Sequence, residues 1–187
     1  ITNFLLKTMQ AKDPRDNLLK GIRILDLADE KASFCTKLLA DMGASVIKVE
    51  RPGGDVSRKM GPFLGDFPHP ERSLFFLHHN TNKLGITLNL EHSKGKRIFR
   101  RLVDRVDVVV ESFSPGYLKD LGLSFEILSR TNPKLILVSV TGFGQEGPRS
   151  QYKSCDIVTS AFGGQMYVSG SSSTPPLKPF GEQSYYT

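Results

Sequence analysis

Ile22-Arg-Ile-Leu-Asp-Leu27, then Ala32 to Met42, then Ser45-Val-Ile-Lys-Val-Glu50 decide the fold. The outer two stretches are short and mostly apolar, the pattern of strands buried on both faces. Between them Phe34, Cys35, Leu38, Leu39 and Met42 recur at helical spacing. That predicts a helix packed through this face, with Cys35 inside it. Gly43 follows, where a helix end favours a left-handed residue. Strand, helix and strand in succession form a βαβ unit, so the two strands run parallel with a right-handed crossover.

The alternation continues outward. Arg51 to Pro70 is rich in Gly and Pro and reads as a long loop, the kind that usually carries function. Leu74 to His79 is a short apolar segment. Ile86–Leu90 reads as a strand, Ser93–Arg105 as a helix and Val106–Glu111 as a β-branched core strand. Pro115–Arg130 reads as helical with an interruption at Gly122, and Leu135–Val140 as a further strand. A helix over Asp156–Phe162 precedes an uncharged loop. The whole predicts an α/β chain: an open, mostly parallel Rossmann-like sheet with helices on both faces. Residues 1–20 read as an amphipathic helix and linker, and 21–187 as the Rossmann-like domain. Such sheets bind ligands beyond the carboxyl ends of their strands. The polar strand ends at Asp26, Glu50-Arg51, Glu111-Ser112 and Thr141 should cluster there.

The 187 residues allow one domain, or one and a fraction. Ile1 and Thr187 read as cut ends of something longer. With 39% apolar and 24% charged residues the chain is globular, and no apolar run approaches the roughly 18 residues of a membrane span. The net charge of +6 comes from basic residues interleaved with acids, which argues against nucleic acid. The densest basic run, Lys94 to Arg101, reads as the wet face of a helix whose apolar positions are Ile98, Leu102 and Val106. A mildly basic surface suits an anionic, phosphate-bearing small ligand. Cys35 and Cys155 have neither metal spacing nor a disulfide framework, a pattern of the reducing cytoplasm. Ile1–Lys12 does not read as a signal peptide.

Gly142-Phe-Gly144-Gln-Glu-Gly147 has the literal form G-x-G-x-x-G. A dinucleotide fingerprint must open a helix, but Pro148 and a stretch without an apolar face follow. No acidic residue ends a following strand, so nicotinamide or flavin binding is set aside in favour of a flexible glycine loop at a strand's carboxyl end. His69, His78, His79 and His92 lack metal spacing and read as surface or loop residues. Arg51 can anchor a phosphate through paired hydrogen bonds or form a plain surface ion pair.

An ordered set of segments nevertheless resembles the family III CoA-transferases. It runs through Gly21–Leu27, Leu39–Glu50, Pro52-Gly-Gly-Asp55-Val-Ser-Arg58 and Asn82-Lys83. It continues through Val109–Gly116, Leu121-Gly-Leu123, Asn132-Pro133 and Ser139–Pro148, and closes on Asp156 and Gly163-Gly164. The resemblance covers roughly the first half of a family member. It implies a large domain that grips coenzyme A as a substrate, with no tightly bound cofactor and no metal. It also implies an interlocked homodimer, or a heterodimer with a homologous subunit, that acts on an acyl-CoA and a carboxylic acid. A family aspartate attacks the thioester, giving a mixed anhydride and then an aspartyl-CoA thioester, and each intermediate stays activated.

Carried over by motif, Arg51 matches a contact to the nucleotide part of CoA, Lys83 a second CoA contact, and Phe113 an aromatic position beside CoA. The chain also departs from the pattern. The turn after the first strand, commonly Ala-Gly-Pro, is Lys31-Ala32-Ser33. The nucleophile's place, aligned without a gap, falls at Tyr185, and the nearest carboxylate is Glu182, out of register. The catalytic residue is therefore unassigned. A racemase branch of the fold pairs a His with an Asp, and Asp156 sits at the matching Asp position, but Cys155 stands where the His would be. The resemblance thus points to a CoA-transferase chain, in the form of a subunit without the nucleophile. The alternatives are catalysis by a full-length homodimer through Glu182, a non-catalytic acyl-CoA-binding or assembly subunit and, less well matched, a racemase.

Overall fold

The computed structural model describes residues 18–186. The expected N-terminal helix and linker fall almost wholly outside these residues. Five strands form one parallel sheet: β1 (Arg23–Leu27), β2 (Ser45–Glu50), β3 (Leu84–Thr87), β4 (Val108–Glu111) and β5 (Ile136–Ser139). Their spatial order is β3-β2-β1-β4-β5, so the direction of winding reverses between β1 and β4. In open α/β sheets that reversal opens a crevice at the carboxyl ends of the two strands. The register pairs Leu27 with Glu111, Glu50 with Thr87 and Glu111 with Ser139, which brings the polar strand ends to one edge, as their spacing predicts.

Helices α1 (Ser33–Asp41), α2 (Leu74–His79) and α3 (Ser93–Val103) follow β1, β2 and β3 in turn. Two one-turn helices, α4 (Tyr117–Asp120) and α5 (Phe125–Leu128), follow β4, and α6 (Asp156–Phe162) follows β5. Apolar side chains pack on both faces of the sheet. Leu25, Leu27, Val49 and Val109 meet Phe99 and Val103 of α3, Leu118 of α4 and Leu128 of α5. Ile24, Val46 and Val110, one residue out of phase along their strands, meet Ala32, Ala40 and Ala44 at and around α1. The two-residue period of the strands supplies both sets at once.

Three expectations are corrected. First, α1 does not pack through Phe34, Cys35, Leu38 and Met42. Its buried residues are Ser33, Thr36 and Ala40, and Cys35 is exposed. The sheet face beneath it carries the carboxylate of Asp26, which takes a 2.7 Å hydrogen bond from the Thr36 hydroxyl, so the helix turns a small, polar side inward. Second, α3 buries Gly95, Phe99 and Val103, and Ile98 lies exposed beside its arginines. Third, β3 is Leu84–Thr87 and ends before Leu90, because residues 88–90 leave the sheet to line a cavity. The interruption expected at Gly122 within Pro115–Arg130 is present, with the short turns α4 and α5 on either side. Gly122 between them has φ 70°, in the left-handed region that glycine adopts freely.

Candidate functional site

A cavity of about 530 Å³ opens at the carboxyl edge of the sheet, at the reversal between β1 and β4. Arg51 and Pro52 after β2, Asn89 and Leu90 after β3, and Ser112 and Phe113 after β4 contribute to its wall. Leu27 and Asp29 close it from β1. The sheet topology therefore brings together Arg51 and Phe113, the two residues assigned from opposite halves of the sequence.

Each loop around this cavity is tied down. The Asp29 amide donates to the Ser112 hydroxyl at 2.8 Å, and that hydroxyl donates back to the Asp29 carboxylate at 2.6 Å. This bracket joins the ends of β1 and β4. Glu111 accepts the Phe113 amide at 2.6 Å and fixes the turn that presents the ring, which packs on Tyr117 with centroids 4.7 Å apart. Burial pushes the Glu111 carboxyl above the usual carboxylate range. Beyond β2, Arg58 clasps Glu50 through two nitrogens at 2.7 and 2.8 Å and stacks over Phe76 at 3.7 Å. Asp55 caps the turn Val56–Lys59 by accepting from the Ser57 amide. Gly53 and Gly54, at φ 90° and 87°, let the loop double back for this clasp. The Pro52-Gly-Gly-Asp55-Val-Ser-Arg58 segment is thus a brace that sets Arg51 at the cavity wall.

Lys83 lies elsewhere. Its side chain is 1% exposed, and its ammonium donates to Asp26 at 2.8 Å, to the Ser33 carbonyl at 2.8 Å and to Asn80 at 3.0 Å. It ties β1 to the start of α1 and the end of α2, and it is not among the residues lining the cavity. Burial pulls its pKa below the ordinary lysine value despite Asp26. A second buried lysine, Lys48 on β2, pairs with Asp55 at 2.8 Å and donates to the Ala28 carbonyl. Burial works against its charge, but Asp26 and Asp55 outweigh that and hold it above the ordinary value. Sequence reasoning did not single out Lys48 or Asp55. The available signal was a lysine in the middle of a doubly buried strand, which must find a carboxylate.

The segment from Lys178 to Tyr186, where the resemblance points for the nucleophile, folds back against α6. Asp156, the first residue of that helix, pairs with Lys178 at 2.5 Å and accepts from the Ser184 amide at 3.0 Å and hydroxyl at 2.6 Å. Burial raises its pKa, but these donors outweigh it and keep Asp156 ionised. The Tyr185 hydroxyl is pushed up to about 12 by burial and by Glu182 and Glu30, so it stays protonated at neutral pH. Glu182 is itself raised by burial, and its Oε2 is buried without a hydrogen-bond partner. Tyr186 stacks on His79 with centroids 5.3 Å apart and meets Phe34 edge-on. His79, expected at the surface, is 4% exposed, because it fills the gap between Phe75 and Tyr186. No cluster of metal-ligating side chains occurs among the described residues.

Residues 19–186 match the family described as CoA-transferase family III. The chain belongs to this family. It is 40% identical over 163 residues to the Thauera aromatica succinyl-CoA:(R)-benzylsuccinate CoA-transferase subunit BbsE, covering 87% of this chain and 40% of that protein. It is 42% identical to the mouse succinyl-CoA:glutarate CoA-transferase, covering 86% of this chain and 36% of the relative. A solved CAIB/BAIF family protein from Brucella suis superposes with a TM-score of 0.81 at 34% identity, over 90% of this chain and 45% of that one. The chain therefore spans about two fifths of the length of the curated relatives it matches. A family III transferase works on CoA thioesters, and the cavity at the β1/β4 reversal lies where open α/β sheets take their ligands.

Proposed function

We propose that this chain is a family III CoA-transferase subunit that grips CoA while a homologous chain supplies the attacking carboxylate. Together they move CoA from an acyl-CoA to a carboxylic acid. The observation that carries this reading is the cavity that joins Arg51 and Phe113 at the sheet's reversal, set beside a nucleophile register occupied by Tyr185. In this reading residues 21–187 are the CoA-gripping part. Arg51 offers a forked, charge-assisted contact to a phosphate of the nucleotide. Phe113 packs beside the ligand, and Lys83 serves from behind the wall by fixing the turn after β1.

Attack on a thioester needs an ionised, mobile nucleophile. Tyr185 keeps its proton, Asp156 is held by Lys178 and Ser184, and burial drives Glu182 toward its neutral acid. None of the three is poised to form the acyl-enzyme anhydride. Relatives named as a subunit BbsE and as a succinyl-CoA–L-malate CoA-transferase beta subunit agree with a two-chain assembly. An interlocked dimer in the cytoplasm is the corresponding assembly.

The test is incubation of the purified protein, with any partner chain it carries, with acyl-CoA, followed by mass spectrometry of each intact chain. The expected adduct appears on a co-purified homologue. An adduct on Glu182 makes this chain an autonomous transferase, and failure to retain CoA at all removes the enzyme reading.

A further inference from the structure

The cavity wall has an unexpected charge balance for a site that takes a polyanion. Asp29, Glu50, Asp55 and Glu91 line it, against the single guanidinium of Arg51. Such a wall should repel phosphate. Three of the four carboxylates, however, meet a cation placed outside the lining. Lys31 pairs with Asp29, Arg58 holds Glu50, and Lys48 holds Asp55. The fourth, Glu91, accepts from the Tyr117 hydroxyl at 3.3 Å. The Lys48–Asp55 pair is the most enclosed, with side chains 3% and 9% exposed, so water screens it least.

We propose that Lys48, with Arg58 and Lys31, sets the affinity of this cavity for a polyanionic thioester by masking the wall's carboxylates from behind. Arg51 is then left as the net field that a ligand meets. This rests on the CoA reading above. Lys48 is a positioning and charge-compensating residue and does not touch the ligand. It stands in the middle of β2, reaches the Ala28 carbonyl at the end of β1 and holds the loop that follows β2, so one ammonium neutralises and aligns two edges of the cavity. Asp55 is held below its ordinary pKa against burial first by Lys48 and then by the Ser57 hydroxyl at 2.5 Å and the Ser57 amide at 2.8 Å. Removing Lys48 therefore withdraws the mask from Asp55 while the two Ser57 donors stay in place.

The experiment measures equilibrium binding of CoA and of dephospho-CoA, which lacks one phosphate, to the purified protein and to the variants Lys48→Met and Asp55→Asn. Lys48→Met is expected to weaken CoA about tenfold and dephospho-CoA only about threefold, since the repulsion scales with ligand charge. Asp55→Asn keeps an acceptor for Ser57 and removes the masked charge, so it is expected to tighten CoA about threefold. That variant carries the test alone should Lys48→Met fail to fold. Equal losses for both ligands, or weaker CoA binding by Asp55→Asn, would overturn the masking role. Wild-type protein that binds neither ligand would instead remove the CoA reading, and the masking role with it.

Discussion

Gly95→Ala sets a local rule against a tertiary one. Gly95 is buried in α3, where alanine should favour the helix by about 1 kcal/mol. A Cβ at this position, however, would lie 1.7 Å from the Asn89 carbonyl oxygen, whereas real Cβ contacts essentially never fall under 3.0 Å. The obstacle is backbone and cannot rotate away, so either α3 or residues 88–90 must move by more than an ångström. Overpacking of this kind costs about 3 kcal/mol. The net loss is then about 2 kcal/mol, or a fall in Tm of about 4–8 °C for a chain of this size. Asn89 and its neighbours line the cavity, so CoA affinity should fall with stability. Thermal unfolding and CoA titration, run beside Gly85→Ala, are the assay. Gly85 has nothing within 4 Å of its Cβ direction and should tolerate the change. A Gly95→Ala protein with an unchanged or higher Tm would refute the reasoning, because helix propensity would then outweigh the contact.

Arg51→Ala should raise KM for the acyl-CoA about tenfold to a hundredfold with kcat nearly unchanged, the loss of a charge-assisted contact of about 1.5–3 kcal/mol, read from initial rates. A matching fall in kcat would place Arg51 in the chemical step instead. His79 is pulled below its ordinary pKa, first by burial, so the unfolded chain takes up the proton at higher pH than the folded one. Its contribution is intact above about pH 6.5 and lost as pH falls through the lower folded value. Denaturant unfolding from pH 8 to pH 5 should show a drop in stability that His79→Phe flattens, and equal slopes in the two proteins would exclude His79 as the source.

Much of the fold was legible because a strand buried on both faces leaves a short apolar run and a helix end leaves Gly43. These signals are local and survive without neighbours. β2 was read to the residue, and so was α6. The strand order was not legible in the sequence: the fold alone shows the reversal between β1 and β4, which puts Arg51 and Phe113 on one cavity although they are far apart in sequence. The position of Lys83 was not legible. A motif match shows that a lysine is required but not which way its ammonium points, and here it turns inward to Asp26. The face of α1 was misread for a related reason, since helical periodicity reveals two sides of a helix but not which side meets the sheet.

The sequence by itself determined the family and the parallel α/β layout. These depend on residue identity and order. Only the tertiary structure decided how the charges are arranged: Asp26 with Lys83, Asp55 with Lys48, Asp156 with Lys178. Each of these pairs joins residues between seven and 57 positions apart, and a buried charge must be neutralised by whatever the fold brings within reach. The composition records that acids and bases are interleaved, but the sheet and its loops decide which of them meet and which, like Arg51, stand at the cavity wall.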